Sequence, residues 1–246
     1  HTLYEQYTHY LPGDSPVLKR FAIELATRYA NLTDRVFAPS ESIRELLQER
    51  GVTTPIAVVP TGVCLERFAQ GDGNGFRRQT GIPETACVVG HLGRLAPEKN
   101  LEFLAEAVAE FMRSNSGAHF LVVGTGPSET AIRDILARSG VVERLHIVGI
   151  LQQQQLADAL HAMDVFAFAS TSETQGMVLT EAMAAGLPVV ALDAPGAREV
   201  VRDTQNGRLL EEATPTAFGA ALQWVVERTP EQLRELNHAA LATAEA

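Results

Sequence analysis

The sequence predicts an α/β fold built on a doubly wound parallel sheet. From Ala86 onward short apolar runs recur: Ala86 to His91, His119 to Val123, Leu145 to Gly149, Val165 to Ser170, Leu187 to Leu192 and Gly207 to Leu210. Each successive pair encloses a stretch long enough for a helix. The runs are also near-continuously apolar rather than alternating, the pattern of strands covered on both faces by helices. In such a sheet, ligands bind at the carboxyl ends of the strands. The residues just after each run therefore carry the most functional weight.

Before that regular part, the chain opens with HTLYEQYTHYLPGDSP and an amphipathic helix from Pro16 to Ala30. A strand follows at Arg35 to Pro39, then a helix with Ser40 as N-cap and Gly51 as stop, then a strand at Ile56 to Pro60. Two strands and two helices make a small core, so residues 1–63 read as the tail of a domain. Residues 64–85 turn polar and glycine-rich (GDGNG, TGIPE) and read as a linker; 86–246 form the second domain. A chain that begins at His1 without methionine is expected to be a fragment.

With 246 residues and 46% hydrophobic content, the chain has enough apolar material for a sizeable core. Its formal charge of −10, with no Lys/Arg run, argues against nucleic-acid binding. There is no apolar run near the roughly 18 residues of a membrane span, and no secretory signal, so any membrane contact is expected to be peripheral. Cys64 and Cys87 lack metal-type spacing and are expected to be free thiols in the cytoplasm. No Asp-x-Asp and no His/Asp/Glu cluster with ligand spacing occurs, so neither a metal nor a cofactor is expected.

The stretch from Asp164 to Glu199 is the centre of the sequence: a strand, a polar turn with Glu173, Gly176, a helix carrying Glu181, and a second strand. The helix start, with its unpaired N–H groups, faces the end of a buried strand and suits an anion. Glu173 and Glu181 are separated by up to roughly 12 Å at helical rise. That exceeds the about 5 to 9.5 Å of a glycoside-hydrolase pair. The spacing suits one elongated ligand with an anionic middle, such as a sugar nucleotide. The plainer alternative makes Glu173 a solvated turn residue and Glu181 a helix-face charge. Against it stands the apolar setting of Glu181, MVLTEAMAAGLPVV, where a carboxylate needs a partner.

After the Ala86 strand comes GHLGRLAPEKN, with Gly93, Arg94 and Lys99. Two cations flanking a strand-end turn are what a departing diphosphate needs; the alternative is a surface Arg and a helix-entry Lys. After the second strand comes GTGP with Gly124, a tight turn that serves either the nucleotide or packing alone. A dinucleotide fingerprint there is broken by Glu129. Ser170, Thr171 and Ser172 are placed either to bind phosphate and hydroxyls or to cap the turn. Trp224, His146 and His161 read as structural.

Two segments carry a resemblance: G-R-L-x-x-E-K-N from Gly93 to Asn100, and S-E-T-Q-G-x-x-x-x-E-A from Ser172 to Ala182. Together with AAGLPVVA and the Gly-x-x-Glu of Gly196 to Glu199, they resemble the retaining family-4 glycosyltransferases of GT-B fold. The resemblance implies a Rossmann-like carboxyl-terminal domain plus a remnant of a Rossmann-like amino-terminal one. It implies that Arg94 and Lys99 bind the donor diphosphate and that Glu181 holds the ribose hydroxyls. Glu173 would face the donor sugar, with Thr174, Gln175, Gly176, Met177, Val178 and Leu179 around sugar and phosphate, and Gly93 and Gly124 beside the nucleotide.

The opening HTLYEQY resembles bacterial glucosyltransferases acting on diacylglycerol, which makes His1 an active-site candidate and a membrane lipid the acceptor. The expected protein is thus a retaining hexosyltransferase using a UDP- or GDP-hexose, cytoplasmic and peripheral at the inner face of the membrane. This chain alone is expected to be inactive, because most of the acceptor domain is missing. The alternatives are a catalytically incomplete sugar-nucleotide-binding module and, disfavoured by Glu129, a dinucleotide-dependent oxidoreductase.

Overall fold

The structure, a computed structural model, describes residues 16–246. Its amino-terminal piece comprises helix α1 (Pro16–Ala30), strand β1 (Val36–Ala38), helix α2 (Glu41–Glu49) and strand β2 (Ile56–Val58). The two strands pair in parallel, Val36 opposite Ile56. Ser40 caps α2 as its sequence suggests, accepting from the Ile43 amide. The core here is small: Ala38 and Ile43 are buried, with Leu46, Leu47 and Ile56 packed against them. Helix α1 buries no residue, and its Val17, Phe21, Leu25 and Tyr29 stay exposed.

The stretch expected as a linker is instead folded. It holds helices α3 (Leu65–Phe68) and α4 (Gly73–Thr80), whose Phe68 and Phe76 join Ile82 in the main core. Asp72 caps α4 by accepting from the Gly75 amide, and Gly81 ends it in the left-handed region. Arg77, 7% exposed, donates to the carbonyls of Ala162, Glu84 and Ala86 and to the Asp164 carboxylate. A glycine-rich polar composition misread this segment, because two phenylalanines and one buried, fully partnered arginine outweigh the glycines.

The remainder alternates as expected. In order come β3 (Cys87–Leu92), α5 (Leu101–Ser114), β4 (Ala118–Val123), α6 (Glu129–Arg138), β5 (Leu145–Ile147), α7 (Gln154–His161) and β6 (Val165–Phe168). Then follow α8 (Met177–Ala184), β7 (Val189–Leu192), α9 (Pro195–Val200), β8 (Gly207–Leu210), α10 (Pro215–Val226) and α11 (Pro230–Glu245). Strand ends differ from the sequence expectation by a residue or two, as at β5 and β6.

Six parallel strands form one sheet in the order β5-β4-β3-β6-β7-β8. One face packs on α5, α6 and α10, the other on α3, α4, α7, α8 and α9. The strand order reverses between β3 and β6, so the ligand-binding crevice opens at their carboxyl ends. Trp224 packs at the edge of the first core under two guanidinium groups, Arg208 at 5.1 Å and Arg228 at 4.4 Å. His161 donates through Nε2 to the Phe68 carbonyl at 2.8 Å, and His146 pairs with His119 at 3.0 Å.

Candidate active site

Both halves of the predicted site meet at that reversal. The connection after β3 presents Gly93 and Arg94, then a 3-10 turn, Pro97–Lys99. Asn100, left-handed at φ 55°, ends the turn and starts α5, while its side chain donates to the Ala169 carbonyl beyond β6. Ser172 and Ser170 also donate to the Glu98 carbonyl, at 3.1 and 3.4 Å. Their hydroxyls fasten the two loops together, while Thr171 between them is exposed.

The charged residues form two ion pairs. Lys99 Nζ lies 3.2 Å from Glu173 Oε2, both largely buried. Arg94 donates through Nη2 to Glu98, whose side chain is 4% exposed against 54% for the arginine. A buried carboxylate thus holds an exposed guanidinium by one nitrogen and leaves the rest of the fork open. Glu98 stood in the quoted motif without a role; its pairing depended on the 3-10 turn.

Around the second half, Gly176 is the N-cap of α8 at φ +81°, a conformation that disfavours side chains. A Cβ there would also lie 2.5 Å from the Gly196 carbonyl. Gly196 in turn donates to the Glu173 carbonyl at 3.0 Å. Among the described residues, the amides of Gln175, Gly176, Met177 and Val178 have no acceptor. Four free N–H groups at a helix start form a site for negative charge. Gln175 donates to the Thr61 carbonyl at 2.8 Å, and its amide oxygen is buried without a partner. Leu179 is fully buried and supports the helix from below, so it contributes packing rather than a ligand-facing surface.

Glu181 sits in the second turn of α8, half-buried, and burial raises its carboxyl above the ordinary range while Arg67 on α3 pulls it back. Arg67 lies on α3, inside the stretch whose composition suggests a linker, so its influence on Glu181 is not legible in the sequence. His91, on β3, is buried, holds the Ala167 carbonyl through Nδ1 at 3.1 Å, and leaves Nε2 without a partner. Burial is the main cause that lowers its pKa to about 4, so the imidazole is neutral.

Beyond Arg94 a cavity of 540 Å³ lies at the carboxyl ends of β3, β4 and β5, lined by Leu92, Gly93, Val123, Gly124, Ile150 and Leu151 among others. Gly124 is required there: at φ +143° its Cβ would meet the Gly93 carbonyl at 1.8 Å. His1 lies outside the described residues. Among the described residues, no group of three or more His, Cys, Asp or Glu is placed to hold a metal ion.

Residues 86–228 match the family described as glycosyl transferases group 1, and residues 1–67 match Glycosyltransferase Family 4. An alpha-monoglucosyldiacylglycerol synthase of Streptococcus pneumoniae is 28% identical over 85% of this chain and 48% of its own. A D-inositol 3-phosphate glycosyltransferase of Segniliparus rotundus is 35% identical over 77% of this chain and 43% of its own. The chain thus spans about half the length of the curated relatives it matches. Among solved structures, Anabaena Alr3699/HepE in complex with UDP-glucose superposes with a TM-score of 0.83 at 25% identity, covering 92% of this chain and 63% of that one. The six-stranded sheet, its binding crevice and these likenesses together make the fold GT-B in type, and the chain belongs to the group 1 glycosyl transferases.

Proposed function

We propose that the site at the β3/β6 reversal binds a UDP- or GDP-linked hexose, and that the whole protein transfers the hexose with retention of configuration. The observation that carries this is the convergence of Arg94, Lys99 and the free amides of Gln175 to Val178 on one crevice beside an apolar cavity. The cavity suits the flat, largely apolar face of a nucleoside, with Gly93 and Gly124 allowing close backbone approach. Glu181 is assigned to the ribose hydroxyls, Glu173 to the sugar. As the glycosidic bond breaks, negative charge grows on the diphosphate, and Arg94, Lys99 and the α8 N-terminus stabilise it. In this reading, protein groups supply the positive charge and no divalent metal or cofactor takes part.

The names of the relatives support an acceptor bearing a hydroxyl, and the diacylglycerol synthase among them supports a membrane lipid. No helix among the described residues is long and apolar enough to cross a membrane, so lipid access is assigned to peripheral contact at the inner face. The half-length match supports a second reading of this chain, a sugar-nucleotide-binding module that needs further chain for transfer. Isothermal titration with UDP and GDP, combined with a donor-hydrolysis assay, tests both. Nucleotide binding with sugar release supports the enzyme, and binding without release supports the module. Tight NADH binding with neither UDP nor GDP bound would overturn both.

A further inference from the structure

The amino-terminal piece touches the donor side of the site at one buried point. Ser40 Oγ donates to the Thr174 carbonyl at 2.7 Å, a contact between residues 134 positions apart, with Ser40 3% and Thr174 8% exposed. The same oxygen accepts from the Ile43 amide as the N-cap of α2. The hydroxyl's single proton is therefore committed to the Thr174 carbonyl while one of its lone pairs caps α2.

The peptide linking Thr174 to Gln175 is planar and trans, so its C=O and N–H point to opposite sides. Holding the Thr174 carbonyl toward Ser40 turns the Gln175 N–H away from Ser40. That amide is the first of the run from Gln175 to Val178 that lacks an acceptor among the described residues. Two further contacts hold the same junction: Ser42 donates through N and Oγ to Glu199 at 2.8 and 2.5 Å, and Gln175 Nε2 donates to the Thr61 carbonyl.

We propose that Ser40 is a positioning residue: it pins the Thr174–Gln175 peptide so that the amides at the start of α8 face the distal phosphate of the donor. The proposal rests on the nucleotide-sugar reading of the site. The nucleoside end is assigned to the cavity beside Arg94, and the α8 start lies across the strand reversal at β6. Ser40 thus acts on the diphosphate's far end and leaves the nucleoside and its first phosphate untouched.

The test measures the affinity of a nucleoside diphosphate and of the matching monophosphate for the unaltered chain, Ser40→Ala and Ser40→Gly. Glycine is nearly as good an N-cap as serine, so Ser40→Gly keeps α2 while losing the bond to Thr174. Both variants are expected to bind the diphosphate about fivefold more weakly, the loss of one buried hydrogen bond, and the monophosphate as before. Undiminished diphosphate binding in Ser40→Gly overturns the proposal. So does an equal loss for both nucleotides, which marks general loosening. If the unaltered chain binds neither UDP nor GDP, the functional reading itself has failed.

Discussion

Lys99 Nζ donates to Glu173 Oε2 at 3.2 Å across 74 positions of sequence, joining the loop after β3 to the loop after β6. With side chains 18% and 17% exposed, the pair is shielded enough to hold its geometry and open enough to meet a ligand. It places one positive and one negative group at the strand reversal, the first assigned to phosphate and the second to sugar.

Lys99→Ala is therefore expected to weaken UDP or GDP binding by roughly tenfold, the worth of a charge-assisted hydrogen bond. Lys99→Arg keeps the charge but changes its shape and recovers part of the loss. Titration calorimetry at fixed salt measures both, and unchanged affinity in Lys99→Ala would remove the lysine from the site.

Glu181 separates binding from stability. Burial raises its carboxyl pKa, so at neutral pH the folded chain carries the charged form at a cost. Glu181→Gln is expected to melt at the same temperature as the unaltered chain or higher, while nucleotide affinity falls several-fold. A variant that binds normally would leave the ribose without this partner.

Gly176 tests the backbone of the helix start. Gly176→Ala forces a side chain into φ +81° and against the Gly196 carbonyl. The expected cost is about 1 to 3 kcal/mol, visible as a drop of several degrees in thermal melting. Nucleotide binding falls with it, because the free amides move. An unshifted melting curve would show that the turn relaxes at no cost.

Acid exposes the buried histidine. His91 has its pKa lowered to about 4 from an ordinary 6.5, and His119 and His146 are also lowered, chiefly by burial. The unfolded chain binds protons that the folded chain refuses, so stability is full above pH 6.5 and falls as pH drops toward 4. For His91 the loss approaches about 3 kcal/mol at the lower end. Urea midpoints measured between neutral pH and pH 4.5 should decline, and His91→Phe should flatten part of that slope.

Much of the carboxyl-terminal fold was legible because its signals are local. Apolar runs of strand length, glycines at turns and the N-cap Ser40 depend on neighbours a few positions away. The same holds for the motifs after β3 and β6, since residues following a buried strand must emerge at the ligand-binding edge. The linker reading failed for a related reason. Phe68, Phe76 and Arg77 look isolated in a glycine-rich stretch, and only their contacts with a core assembled later in the chain make them structural.

By itself, the sequence determined that a parallel sheet forms, that Arg94, Lys99, Glu173 and Glu181 follow the carboxyl ends of its strands, and which family they resemble. Tertiary structure alone decided that Lys99 pairs with Glu173 and Arg94 with Glu98, that the Arg67 charge is felt at Glu181, and that Ser40 holds the Thr174 carbonyl. The physical reason is the strand order. Local periodicity says that a strand exists, but β3 lies beside β6 because of how the whole sheet packs, and that adjacency brings Lys99 and Glu173, 74 positions apart, into contact, while the docking of the amino-terminal piece brings Ser40 to Thr174 across 134 positions.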